Sequence, residues 1–102
     1  MEKRTPHYSL ADIQMVVADP TSRPFTITAL RGGLELGLSE PEMRLVVFAL
    51  SRSSFYKSMT THADHREWQD VYHGLTEDGT EVYIKITAYT DSRPPVIQFK
   101  TK

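Results

Sequence analysis

The chain lacks cysteine, and it lacks any long run of apolar residues. Without cysteine there can be no disulfide framework and no thiolate site, which is usual in a reducing compartment. The longest apolar run, residues 45–50, is far shorter than the roughly 20 residues needed to span a bilayer. Residues 1–7 are polar and do not resemble a secretory signal. We therefore expect one cytoplasmic domain over residues 1–102, with no membrane segment.

Neither sign of charge is in excess. The chain has 12 lysine and arginine residues against 13 aspartate and glutamate residues, for a formal net charge of −1. A nearly neutral protein attracts a polyanion weakly in bulk, so any nucleic-acid site must be a local cluster of cations. A glycine-rich phosphate loop and a serine nucleophile elbow are also missing from the sequence.

Helices are predicted in the first half of the chain. Ser9 is a helix cap, and the helix that follows it ends before Pro20, because a proline restricts the residue that precedes it. A second and weaker helix covers residues 28–36. Gly32 and Gly33 lower the helix propensity of this segment.

A third helix has the strongest signal. Ser39 and Glu42 form a capping box, and Pro41 lies in the first turn, where proline is well tolerated. The apolar residues that follow recur at the spacing of one helix face. They are Met43, Val46, Val47 and Leu50.

The second half is rich in aromatic and β-branched residues, which favour strands. Turn-forming residues lie at 77–79 and at 91–95, and short connections indicate antiparallel neighbours. The sequence therefore predicts an α+β fold, in which a C-terminal antiparallel sheet packs against N-terminal helices. The predicted strands are residues 55–60, 68–73, 81–89 and 96–100.

One face of this sheet has the side chains for phosphodiester chemistry. Alternation along the third and fourth strands directs Tyr83, Lys85 and Lys100 away from the helices, and Gln69 on the second strand points the same way. Lysines neutralise phosphate, aromatic rings stack on bases, and an amide can hydrogen-bond an oxygen or a base edge. The alternative is an ordinary solvated sheet face, where the same residue types are common.

Two residues fit the alternation less well. Asp70 points toward the core, where a carboxylate needs a hydrogen-bonding partner. Lys57 shares its parity with Phe55 and Met59, so a bulge or an edge position is needed to expose it.

The histidines allow two interpretations. His62 and His65 lie in a polar loop, where they could bind a metal or transfer a proton. The sequence contains no zinc-protease motif and no calcium-loop spacing, and loop histidines are usually solvated. We therefore predict no metal and no cofactor, and we retain His65 as a weaker candidate.

Several segments of the chain match a known protein family in order over nearly its whole length. They are residues 1–7, 36–38, 55–61, 64–65, 68–72, 82–87 and 99–100. The match is strongest in the aromatic and polar stretch that begins at Phe55, and such long matched strings are more specific than any short motif. In these segments the chain closely resembles the MqsR family of toxins.

The resemblance implies an RNA-cleaving toxin with a fold similar to that of the RelE toxins. It implies cleavage of messenger RNA at short GC-containing sites. It also implies neutralisation by an MqsA-type antitoxin with a zinc-bound domain and a helix-turn-helix domain, so that DNA is contacted only through the antitoxin. The catalytic residues implied are Lys57, Gln69, Tyr83 and Lys100. Lys85 and His65 are weaker candidates for RNA binding.

Attack by the ribose 2′-hydroxyl on the adjacent phosphate is the mechanism that fits these residues. Lys57 and Lys100 would stabilise charge on the phosphoryl oxygens, Gln69 would orient the phosphate or a base, and Tyr83 would transfer a proton. The residues do not indicate which group is the base and which the acid. The alternative function is a non-catalytic RNA- or protein-binding module that acts as a regulatory cofactor.

Overall fold

A computed structural model of the protein describes residues 1–61, 66–88 and 95–101. None of the helices in these described ranges is long and apolar enough to cross a membrane. Helices precede the main strands, as expected, but no pattern in the sequence predicted the two-residue first strand. In chain order the elements are β1 (Glu2–Lys3), α1 (Leu10–Ala18), α2 (Ile27–Glu35), α3 (Glu40–Phe48), a 3₁₀ helix (Arg52–Ser54), β2 (Phe55–Thr60), β3 (Trp68–Leu75), β4 (Glu81–Thr87) and β5 (Val96–Thr101).

A side-chain cap begins each α-helix in the part of the chain that the structure describes. The Ser9 hydroxyl accepts a hydrogen bond from the backbone of Asp12, and the capping box of Ser39 and Glu42 is complete. The second helix begins one residue earlier than predicted because Thr26 caps it. Serine and threonine caps satisfy backbone N–H groups that have no partner within the helix.

The five strands of the described residues form one antiparallel sheet in the order β1-β2-β3-β4-β5. This confirms the α+β class. The turn predicted at 77–79 joins β3 to β4, and Gly79 has a φ of 85°, which glycine adopts without strain. The turn predicted at 91–95 lies outside the described residues except for its last position.

The helices cover one face of the sheet, which we call the inner face. Helix α2 lies so close to β5 that a Cβ atom added at Gly32 would be 2.6 Å from the Phe99 carbonyl oxygen. This explains a glycine that reduces helix propensity. Phe25, just before α2, forms a parallel bridge with Ile97 along the edge of β5 that does not pair with β4. The buried residues of the sheet in this core are Tyr72, Val82, Ile84, Ile86, Ile97 and Phe99.

Asp70 points inward as predicted and is only 1% exposed. Its carboxylate accepts hydrogen bonds from the backbone N–H of His7, at 3.0 Å to each oxygen, and of Tyr8, at 2.9 Å. The Tyr8 hydroxyl donates to the Trp68 carbonyl at 2.7 Å. The segment between β1 and α1 is therefore fixed to the inner face of β3, and it supplies the partner that a buried carboxylate requires.

Replacing Asp70 with alanine should lower the free energy of unfolding by about 2–3 kcal/mol, because two backbone N–H groups lose their acceptor. Urea denaturation followed by circular dichroism measures this change. Glu35→Ala, an exposed position at the end of α2, is the control and should stay within about 0.5 kcal/mol of the parent protein. Equal stability of the two variants would show that these hydrogen bonds do not hold the segment.

Candidate functional site

Lys57 lies on the outer face of the sheet, the face opposite the helices, because β2 contains an irregularity. Phe55 pairs with Tyr72 on the inner face, but Lys57 pairs with Val71, so the register shifts at Tyr56. A bulge of this kind reverses the direction of the side chains that follow it. The sequence indicated that Lys57 needed a bulge or an edge position, and the bulge is confirmed.

The register brings four further predicted residues to the same face. Val71 pairs with Lys85, and Lys85 pairs with Gln98. Tyr83 pairs with Lys100 on β5. Directly opposed residues of an antiparallel sheet point to the same side. The outer face therefore carries Glu2, Lys57, Met59, Gln69, Val71, His73, Tyr83, Lys85, Gln98 and Lys100.

The side chains on the outer face partly cover one another. Val71, between Lys57 and Lys85, is only 3% exposed. Lysine stems are apolar and can lie over such a residue while the ammonium groups stay in water. On the outer face, long polar side chains thus cover the small apolar side chain of Val71.

Three rings form a row across the strands beside these lysines. The His73 ring lies 4.7 Å from that of Tyr56 and 4.9 Å from that of Tyr83, between ring centroids. Nε2 of His73 is buried and has no hydrogen-bond partner in the part of the chain that the structure describes. Lys100, opposite Tyr83, adds a cation at the end of the row. Such a row offers stacking surfaces next to positive charge, which suits a single-stranded nucleic acid.

The lysines influence one another electrostatically. Partial burial, followed by the charges of Lys100 and Lys57, lowers the pKa of Lys85. Lys57 behaves differently because its Nζ lies 2.7 Å from the Glu2 carboxylate. This hydrogen bond raises the pKa of Lys57 and lowers that of Glu2. The face therefore concentrates positive charge on a protein whose net charge is −1.

The cations form a strip and not a single pocket. Neighbouring strands lie about 4.8 Å apart, and β2 and β5 are separated by three such spacings, so the backbones at Lys57 and Lys100 are about 14 Å apart across the sheet. Lys85 lies between them on β4. Gln69 is diagonal to Lys57, since it pairs with Met59. A strip of this length suits an extended polyanion better than a small anion.

The sequence did not identify three residues of this surface as candidates. Glu2 is on a strand of two residues, which shows no alternation, and Tyr56 is at the bulge, where alternation breaks. His73 follows the alternation of Gln69 along β3, but its position between two rings depends on the pairing of three strands. His62 and His65 lie outside the described residues. No group of three or more histidine, aspartate and glutamate side chains in the described ranges could hold a metal ion.

Comparisons with known proteins identify the family of the chain. Residues 5–101 match the family model described as motility quorum-sensing regulator, toxin of MqsA. The mRNA interferase toxin MqsR of Escherichia coli (strain K12) is 45% identical to this chain over 102 residues, covering all of both proteins. The match to this relative covers the whole chain, and the family match covers all of the helices and β2 to β5. The resemblance found in the sequence is thus confirmed, and the chain belongs to the MqsR toxin family.

Proposed function

We propose that this protein is a toxin endoribonuclease that cleaves messenger RNA, acting as one domain over residues 1–102 in the cytoplasm. The observation that carries the proposal is the outer face itself, where Lys57, Lys85 and Lys100 lie on one open surface with Tyr83 and Gln69. The name of the Escherichia coli relative, an mRNA interferase toxin, supports the same activity. By family resemblance, the preferred substrate is messenger RNA with short GC-containing sites.

The proposed reaction uses the substrate's own 2′-hydroxyl as nucleophile. A bond forms between this oxygen and the adjacent phosphorus, and the bond from phosphorus to the 5′-oxygen breaks. The hydroxyl proton passes to a base, and the leaving 5′-oxygen takes up a proton. The products are a 2′,3′-cyclic phosphate and a 5′-hydroxyl, with no oxidant, reductant or cofactor required.

The residues of the strip have separate roles in this step. Lys57 and Lys100 stabilise the negative charge that grows on the phosphoryl oxygens, as cations do in other phosphoryl-transfer sites. Gln69 orients the phosphate or a neighbouring base, and Tyr83 transfers a proton. Lys85 contacts the RNA, with His65 as a further candidate. The ring row of Tyr56, His73 and Tyr83 gives unpaired bases a surface on which to stack.

Cleavage should continue in EDTA and should leave a 2′,3′-cyclic phosphate on one fragment. The reason is that lysines hold the phosphate and the ribose supplies the nucleophile, so the reaction requires no metal-activated water. Mass spectrometry of fragments from a defined single-stranded RNA identifies the cut ends. The control is the same RNA with one 2′-deoxy substitution at the cut position, which should bind but resist cleavage.

Loss of activity in EDTA would contradict this mechanism, as would cleavage of the 2′-deoxy substrate at a similar rate. RNA that binds but stays intact under all conditions would favour the binding-module alternative.

Lys57→Ala and Tyr83→Phe should each lower the cleavage rate by about 10²-fold or more, because one removes a charge-stabilising donor and the other a proton carrier. Tyr83→Phe keeps the ring that packs against His73, so the fold should survive. Single-turnover cleavage and relief of growth arrest in cells measure the effect. Arg23→Ala, which removes an exposed cation from the loop before α2, should remain toxic. Full toxicity of a folded Lys57→Ala/Tyr83→Phe/Lys100→Ala protein would remove these residues from the reaction.

The family description also supports a protein partner. It calls the family a toxin of MqsA, so we propose an MqsA-type antitoxin that binds and neutralises this chain and provides its only link to DNA. Co-expression of the two should restore growth, and the two should co-purify. A co-encoded MqsA-type protein that neither binds nor restores growth would contradict this pairing.

A further inference from the structure

The ion pair between Glu2 and Lys57 joins the beginning of the described chain to the strip of lysines. The Nζ of Lys57 donates to Oε1 of Glu2 at 2.7 Å, and the ammonium lies 5.3 Å from the centre of the Tyr56 ring. The Lys57 side chain is 23% exposed, against 57% for that of Glu2. Lys57 is therefore held between a carboxylate and an aromatic face.

The position of the Lys57 ammonium is not fixed by its own side chain. Its side chain is a flexible stem that carries a compact charge, and holding it in one position is entropically costly. It emerges directly after the bulge, and the positive charge of Lys85 lies on the other side of Val71. Repulsion between the two ammonium groups drives Lys57 away from Lys85 and toward β1, and the Glu2 carboxylate on β1 holds the ammonium there in one position.

The backbone keeps Glu2 in place. Glu2 pairs with Met59 and Lys3 with Ser58, which makes β1 the neighbour of β2. The N–H of Thr60 donates to the Met1 carbonyl at 3.0 Å. A few residues later the chain is fixed a second time, by the bonds of His7 and Tyr8 to Asp70. The carboxylate therefore projects from a segment that is anchored at both ends.

We infer that Glu2 is a positioning residue for RNA cleavage, which holds the Lys57 ammonium where it meets the reacting phosphate. The inference rests on the proposed function. One hydrogen of the ammonium is used by Glu2, and the other two remain for the RNA. The first strand is thus part of the functional surface and not only an edge of the sheet.

This role has a kinetic signature. Glu2→Gln removes a negative charge from a surface that binds a polyanion, so substrate binding should not weaken and KM should stay equal or fall. The same change releases the Lys57 ammonium, so kcat should fall roughly 10-fold, in the range expected when a reacting group is misplaced. A fall in kcat without a rise in KM separates positioning from a general loss of binding or of folded protein.

The experiment measures kcat and KM for a labelled single-stranded RNA oligonucleotide in EDTA, with the full chain. Glu77→Gln is the matched control, since it removes the same charge from the exposed β3–β4 turn, and it should leave both constants unchanged. Glu2→Asp, which keeps the charge, should lie closer to the parent protein than Glu2→Gln. The thermal midpoint of Glu2→Gln should match that of the parent protein, because exposed ion pairs contribute little to stability.

A double-mutant cycle tests whether Glu2 acts through Lys57. In a Lys57→Ala background, under single-turnover conditions extended until product is measurable, Glu2→Gln should cause no further loss of rate. An additional loss of the same size would show an independent role for Glu2 and would overturn the inference. An unchanged kcat for Glu2→Gln, or a faster reaction, would overturn it as well. Failure of the proposed function is distinguishable, because then the parent protein would not cleave RNA or Lys57→Ala would remain fully active.

Discussion

The register shift at Tyr56 is the constraint on which the arrangement of the outer face depends. Without it, the alternation of β2 would place Lys57 on the same side as Phe55, inside the protein. With it, Phe55 remains in the core and Lys57 joins the lysines of β4 and β5. One irregular residue therefore allows the first residue of β2 to be packed in the core while Lys57, two positions later, lies on the opposite face.

Much of the fold followed from local patterns. Ser9, Ser39 and the turn before β4 gave clear signals because each is decided by a few adjacent residues. Strand alternation also placed Tyr83, Lys85 and Lys100 correctly, since a strand with one buried face has a fixed period of two. The predicted third strand included Ala88, which lies past the observed end of β4 at Thr87, and its last predicted position, 89, is outside the described residues.

The remaining features depend on contacts that are distant in sequence. Strand β1 has two residues and exists only because β2 provides a neighbour. Glu2 could not be recognised as part of the outer face, because the atom it contacts belongs to Lys57, on another strand. The environment of His73 likewise needs the register of β2, β3 and β4 together. Alternation along a strand indicates which face a side chain lies on, but only the pairing between strands determines which side chains it contacts.

The edges of the sheet also determine whether copies of the protein can pair with one another through their strands. An exposed strand edge presents unpaired backbone groups and invites another strand to pair with it. Here the outer edge of β5 is occupied at Ile97 by the bridge to Phe25, and the close approach of Gly32 covers it at Phe99. At the opposite side, β1 is only two residues long. Edge-to-edge pairing between copies of the sheet is therefore disfavoured at these positions by the fold itself.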